Sequence, residues 1–172
     1  SKCSGILPRI VSDLFLGIKE RASANMFYNV SIGYVELYNN RFKDLLFRDD
    51  NKISNNNNHH QHGTIELHDK GRDGITLTGT DSLRTQVHSA EQTILQIKKG
   101  NDARRCNEKA SSRSHAIVTF YVTQSLHDNT VVNRSKFHVI DLAGSDRLSV
   151  ANTSGQELKE RQAINLSLSC LS

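Results

Sequence analysis

"FHVIDLAGS", residues 137–145, closes a short apolar run on Asp141 and follows it with the small residues Ala143, Gly144 and Ser145. In α/β folds, an aspartate at the carboxyl end of a buried strand is where metal and phosphate chemistry collects. Upstream, "SSRSH", 111–115, stands directly before a second apolar run, "AIVTFYVT", 116–123. The polar segment "QSLHDNTVVNRS" between the runs reads as a turn. Antiparallel pairing across it sets the start of the first strand beside the end of the second. "SSRSH" and "DLAGS" then meet at one end of a sheet.

The residue types suit one chemistry. A carboxylate such as Asp141 binds Mg2+ directly or through water. A serine hydroxyl, as on Ser111 or Ser112, is a small oxygen ligand for Mg2+ or a donor to a phosphate oxygen. Gly144 has no side chain, so its amide can approach a terminal phosphate closely. Arg113 can pair bidentately with phosphate or with a carboxylate such as Asp146. Each segment alone is also compatible with an ordinary structural turn; it is their order on adjacent strands that is specific.

The rest of the chain reads as alternating helices and strands. Pro8 followed by "RIVSDLFLGIKER" predicts a helix, with Ile10, Leu14 and Ile18 at four-residue spacing. "FYNVSIGYVELY", 27–38, predicts a strand buried on both faces. "NNRFKDLLF" follows as a short helix or turn. Residues 48–63, "RDDNKISNNNNHHQHG", form a polar low-complexity stretch that predicts a disordered loop insertion. His59, His60 and His62 lie there with His68 nearby, but no Cys, Asp or Glu is placed to complete a metal site. "TIELHDKGRDGITLTG", 64–79, predicts two short strands around a glycine-containing turn. "SAEQTILQIKKGN" predicts a helix with a Ser89–Gln92 capping box, ending near Lys98, Lys99 and Gly100. Residues 156–172 predict a further helix, with Leu158, Ile164, Leu168 and Leu171 as its apolar positions.

Composition narrows the classes. The 172 residues suffice for one core, with 36% hydrophobic and 23% charged residues. No run of apolar residues is long enough to span a membrane. The net charge of +4 is too small to argue for nucleic acid. Cys3, Cys106 and Cys170 are odd in number and widely spaced, which fits a reduced, cytosolic protein.

Taken together, "SSRSH", a strand, "DLAGS" and then Glu160, Ile164, Asn165, Ser167, Leu168 and Leu171 in the order E-x-x-x-I-N-x-S-L-x-x-L resemble the kinesin motor head. "GILPRIVSDLF" resembles the family's G-I-I-P-R helix, and "VSIGYVELYNNRFKDLL" resembles its V-S-Y-x-E-I-Y-N-E-x-x-x-D-L-L segment. The resemblance spans the whole chain. It implies an α/β fold, part of a P-loop-NTPase-like head with a central mixed sheet flanked by helices. It makes 107–115 a switch I and 141–146 a switch II, which in the family sense the γ-phosphate of MgATP. ATP and Mg2+ are the implied cofactors, with Ser111, Ser112, Asp141 and Gly144 around them and Ser112 and Asp141 toward the metal. Arg113, Asp146 and Gly144 are the implied catalytic set. The implied partner is the microtubule, and the implied location is the cytoplasmic cytoskeleton. "LHDKGRD" resembles a basic loop that meets tubulin, through His68, Lys70 and Arg72; Arg147 and Lys159 are further candidates. A solvated hairpin turn is the competing reading of that loop.

Several positions depart from the family pattern. None of the ten glycines opens a G-x-x-x-x-G-K-[ST] phosphate cradle: Gly74 and Gly79 have the spacing, but Thr80 and Asp81 follow. By resemblance the chain is expected to be the middle of a motor head, from just after that loop to the helix after switch II, and alone it is expected to bind ATP weakly. Glu108 holds the usual asparagine position of switch I, Asn107 is displaced by one, and the segment before switch I is a few residues short. Asp146 stands where the family has glutamate, so its pairing with Arg113 is expected to need backbone movement. Leu166 replaces a common lysine. Two functions follow: an ATP-driven microtubule motor, or a kinesin-like microtubule-binding or regulatory protein that no longer hydrolyses ATP.

Overall fold

The computed structural model describes residues 5–23, 25–46, 65–69, 71, 75–78, 84–105, 113–144 and 155–169. In chain order the elements are α1 (Ile6–Arg21), β1 (Met26–Tyr38), β2 (Arg41–Asp44), β3 (Glu66–Asp69), β4 (Ile75–Thr78), β5 (Thr85–Val87), α2 (Ala90–Arg105), β6 (His115–Leu126), β7 (Val131–Asp141) and α3 (Gln156–Ser169). Strands β2, β1, β6 and β7 lie side by side, and β5 pairs with β1 on the edge that β2 also uses. Strands β3 and β4 form a separate two-stranded sheet, as the hairpin reading of 64–79 predicts. Every described strand pair is antiparallel.

The sheet's period of two sorts its faces. Val30, Ile32 and Tyr34 of β1 stand opposite Val122, Phe120 and Val118 of β6, and Phe137 and Val139 continue the row on β7. This face packs on Val11 of α1 and Ile97 of α2, with Leu14, Phe15 and Ile18 of α1 against it. Phe120 and Phe137 stack with centroids 4.7 Å apart. Burial of Tyr34, Val35 and Glu36 on both parities bears out the two-sided reading for the second half of β1; its first half alternates.

Four local expectations change. The "NNRFKDLLF" segment, read as a short helix or turn, keeps only the turn: β2 folds back on β1 through a two-residue turn at Asn39 and Asn40. Both have positive φ, 48° and 58°, as a type I′ hairpin requires and asparagine tolerates. Helix α2 does not stop at Gly100 but continues to Arg105. Gly100 is buried, and a Cβ there would come within 2.7 Å of Tyr34 Cε1, so this glycine serves close packing rather than termination. The connection between β6 and β7 is far shorter than the polar composition implied: both strands extend outward to leave a tight turn at His127–Thr130. There Asn129 has φ 65° and the Thr130 amide donates to Asp128 Oδ1 at 2.9 Å. Finally, β7 is not a fully covered core strand. Val131, Val132 and Ile140 are exposed, and no described strand pairs with its outer edge.

The Ser89–Gln92 box forms with one change. Gln92 N–H donates to Ser89 Oγ at 3.1 Å, while Gln92 Oε1 accepts from the amide of His88, one residue before the cap. The loop insertion read at 48–63 lies outside the described residues.

Candidate functional site

Ala116 of β6 stands opposite Asp141 of β7. That register sets Arg113, Ser114 and His115 beside the segment Asp141–Gly144 at one end of the sheet, the juxtaposition expected from antiparallel pairing. Two side-chain clusters occupy this end, one on each face.

On the helix-packed face, Glu36 and Asp141 flank Ala116. Helix α2 ends above them. Its buried positions Thr93, Ile97 and Gly100 carry a stripe that brings Arg104, in the last turn, over the sheet. Arg104 Nη1 donates to Asp141 Oδ2 at 2.8 Å and Nη2 donates to the Ser114 carbonyl at 3.0 Å. Its Nε lies 3.7 Å from Glu36 Oε1, and Ser114 Oγ donates to the same oxygen at 2.6 Å. Burial of the Glu36 carboxylate is tolerable because it has both a cation and a hydroxyl. One turn earlier, Tyr34 donates to Asn101 Oδ1 at 2.7 Å. Burial pushes the Tyr34 phenol pKa up, and the nearby Arg104 opposes this.

On the opposite face, His115 is almost fully buried. The Ala143 amide donates to its Nδ1 at 3.1 Å, so Nδ1 carries no proton. Nε2 therefore carries the proton and donates to Ser167 Oγ of α3 at 2.7 Å. The Ser167 hydroxyl in turn donates to the Ile164 carbonyl at 2.7 Å. Burial, and next the charge of Arg104, lower the His115 pKa; Asp141 acts against them.

The Asp141 side chain is 73% exposed despite its bond to Arg104. Among the described residues, nothing lies within 4 Å of where a Cβ on Gly144 would stand. An exposed carboxylate beside a backbone that no described residue crowds fits Mg2+, which keeps several waters and is held largely through phosphate oxygens. Among the described residues no three His, Cys, Asp or Glu side chains gather into a protein cage.

Of the other candidates, Arg113 lies in the turn before Ser114 and is half-buried. His68 is on β3, its Nε2 3.4 Å from Glu66 Oε2 in an exposed pair. Lys159 is exposed on α3, where Leu166 is also exposed. Ser111, Ser112, Asp146, Arg147, Lys70 and Arg72 lie outside the described residues. Arg104 and Glu36 were not singled out from sequence, and Ser114 and Ser167 stood there only as members of the quoted motifs, with no role assigned. Glu36 carried a signal: a lone acid in the buried "YVELY" run, at the parity of Ile32 and Tyr34, demands a cation.

A family model described as the kinesin motor domain matches residues 1–172. The chain belongs to the kinesin motor domain family. It is 34% identical over 172 residues to the chromosome-associated kinesin KIF4 of Xenopus laevis, covering 97% of this chain and 13% of that protein. Among solved structures it is similar to the motor and motor homology domain of Kar3Vik1 fused to a synthetic coiled coil, with TM-score 0.76 and 29% identity, over 97% of this chain and 40% of that one. It is also similar to a KIF14 dimer with AMP-PNP in complex with a microtubule, with TM-score 0.73 and 28% identity, over 99% of this chain and 47% of that one. The chain thus spans less than half of each of these kinesins. No helix among the described residues is long and apolar enough to cross a membrane.

Proposed function

We propose that this chain is the switch-bearing part of a microtubule motor head, coupling MgATP turnover to microtubule binding. Family membership over all 172 residues supports the reading. The observation that carries it is the Ala116–Asp141 register, which brings the end of "SSRSH" to the start of "DLAGS". In this reading Asp141 faces Mg2+ through water, Ser112 is a direct ligand, and Ser111 and the Gly144 amide contact the nucleotide. Arg113 pairs with Asp146 to close the switches for hydrolysis. His68, Lys70, Arg72, Arg147 and Lys159 face acidic tubulin through salt-screened attraction. The protein then works on the cytoplasmic cytoskeleton.

A second reading keeps nucleotide-dependent microtubule binding and drops hydrolysis. Asp146 in place of glutamate favours it, since one methylene less shifts a carboxylate by about 1 Å, enough to cost roughly 10²-fold in rate. Co-sedimentation of the full-length polypeptide with microtubules, in AMP-PNP and in ADP, tests what both readings share. Tighter binding in AMP-PNP is expected. Equal binding in the two nucleotides contradicts both.

A further inference from the structure

His115 holds two segments that are not otherwise adjacent in sequence. Its Nδ1 takes the amide of Ala143, next to Gly144, and its Nε2–H reaches Ser167 in the middle of α3. Ala143 and Ile164, at the two ends of this chain of bonds, are both buried, with 6% and 4% exposure. The bonds have one direction throughout: Ala143 N–H to imidazole, imidazole N–H to Ser167, Ser167 O–H to the Ile164 carbonyl. A neutral imidazole can accept at one ring nitrogen while it donates at the other.

We infer that His115 is a positioning residue that ties the loop 142–144 to α3, so that a displacement of Gly144 is passed to the helix through this imidazole. The two faces of the sheet divide the work. Ser114 anchors the backbone to Arg104 and Glu36, which fixes the base from which His115 projects. Ala143 cannot move outward without either losing its amide partner or pulling the ring away from Ser167. Buried hydrogen-bonded groups are costly to leave unpaired, so the helix follows the loop. The use of this tie in a nucleotide response rests on the motor reading above; the tie itself does not.

Two substitutions cut the tie at opposite ends. In His115→Asn the amide oxygen can occupy the Nδ1 position and keep Ala143, while Ser167 loses its donor. In His115→Gln the amide nitrogen can occupy the Nε2 position and keep Ser167, while Ala143 loses its acceptor. Amide hydrogen exchange in the full chain without nucleotide reads both ends. His115→Gln is expected to speed exchange at Ala143 by about five- to tenfold relative to residues 165–169, and His115→Asn to do the reverse. A 15N spectrum of the wild-type imidazole is expected to show the proton on Nε2, and this reading stands even where a variant fails to fold. A proton on Nδ1, an equal acceleration of both segments in both variants, or no change in either overturns the inference. Because no nucleotide is present, loss of ATPase activity would overturn the motor reading and leave this result unaffected.

Discussion

Arg104 Nη1 and Asp141 Oδ2 lie 2.8 Å apart, joining the last turn of α2 to the last residue of β7. The same guanidinium stands over the buried Glu36 carboxylate. Removing it strands a buried charge, so Arg104→Ala is expected to destabilise the fold by about 3 kcal/mol or more. Denaturant unfolding measures this. Replacing Arg104 and Glu36 together by methionine is expected to recover most of the loss, because a buried pair costs desolvation that an apolar pair does not.

Gly100→Ala separates helix propensity from packing. In an open helix the change stabilises by roughly 1 kcal/mol. Here the added methyl meets the Tyr34 ring, which is itself held by Asn101. The expected outcome is a net loss of about 1–3 kcal/mol in the same unfolding experiment. Stabilisation would show that the ring moves aside freely.

Acidification probes the imidazoles. His115 has a pKa held below its ordinary 6.5 by burial and Arg104, and His138 likewise by burial and Lys136. The unfolded chain then binds more protons than the folded one below pH 6.5. Stability from these groups is complete above about pH 6.5 and falls as pH drops through it toward the folded pKa. Unfolding midpoints measured between about pH 7.5 and 5.5 are expected to decline, and His115→Gln to flatten the decline.

Much of this architecture was legible in the residues. The apolar runs "AIVTFYVT" and "FHVI" and the polar stretch between them pointed to the β6–β7 pairing, and with it to the meeting of Arg113–His115 and Asp141–Gly144. The misread elements were those where a tertiary partner overrode a local rule. Gly100 looked like a helix stop because its packing against Tyr34 is invisible in sequence. Asn39 and Asn40 form a hairpin turn because asparagine accepts positive φ, where the segment had been read as a short helix or turn with no strand after it. Arg104 was missed for the same reason as Gly100: only a helix that continues past residue 100 carries it over Asp141. His115 was seen as part of a motif, but its two bonds depend on Ala143 and on a helix more than forty positions away.

The aspartate at position 146 offers a direct gain-of-function test. In the full-length polypeptide, Asp146→Glu is expected to raise microtubule-stimulated ATP turnover, by roughly tenfold or more where reach to Arg113 is the limit. An unchanged rate would place the limitation elsewhere in the switches.

Phosphate release from the full-length polypeptide, followed in single turnover with and without microtubules, is the most direct measurement. A motor head predicts that microtubules accelerate release and that Arg113→Ala abolishes the acceleration. Bound ATP whose phosphate release is unaffected by microtubules, in the wild-type protein, would contradict the motor account.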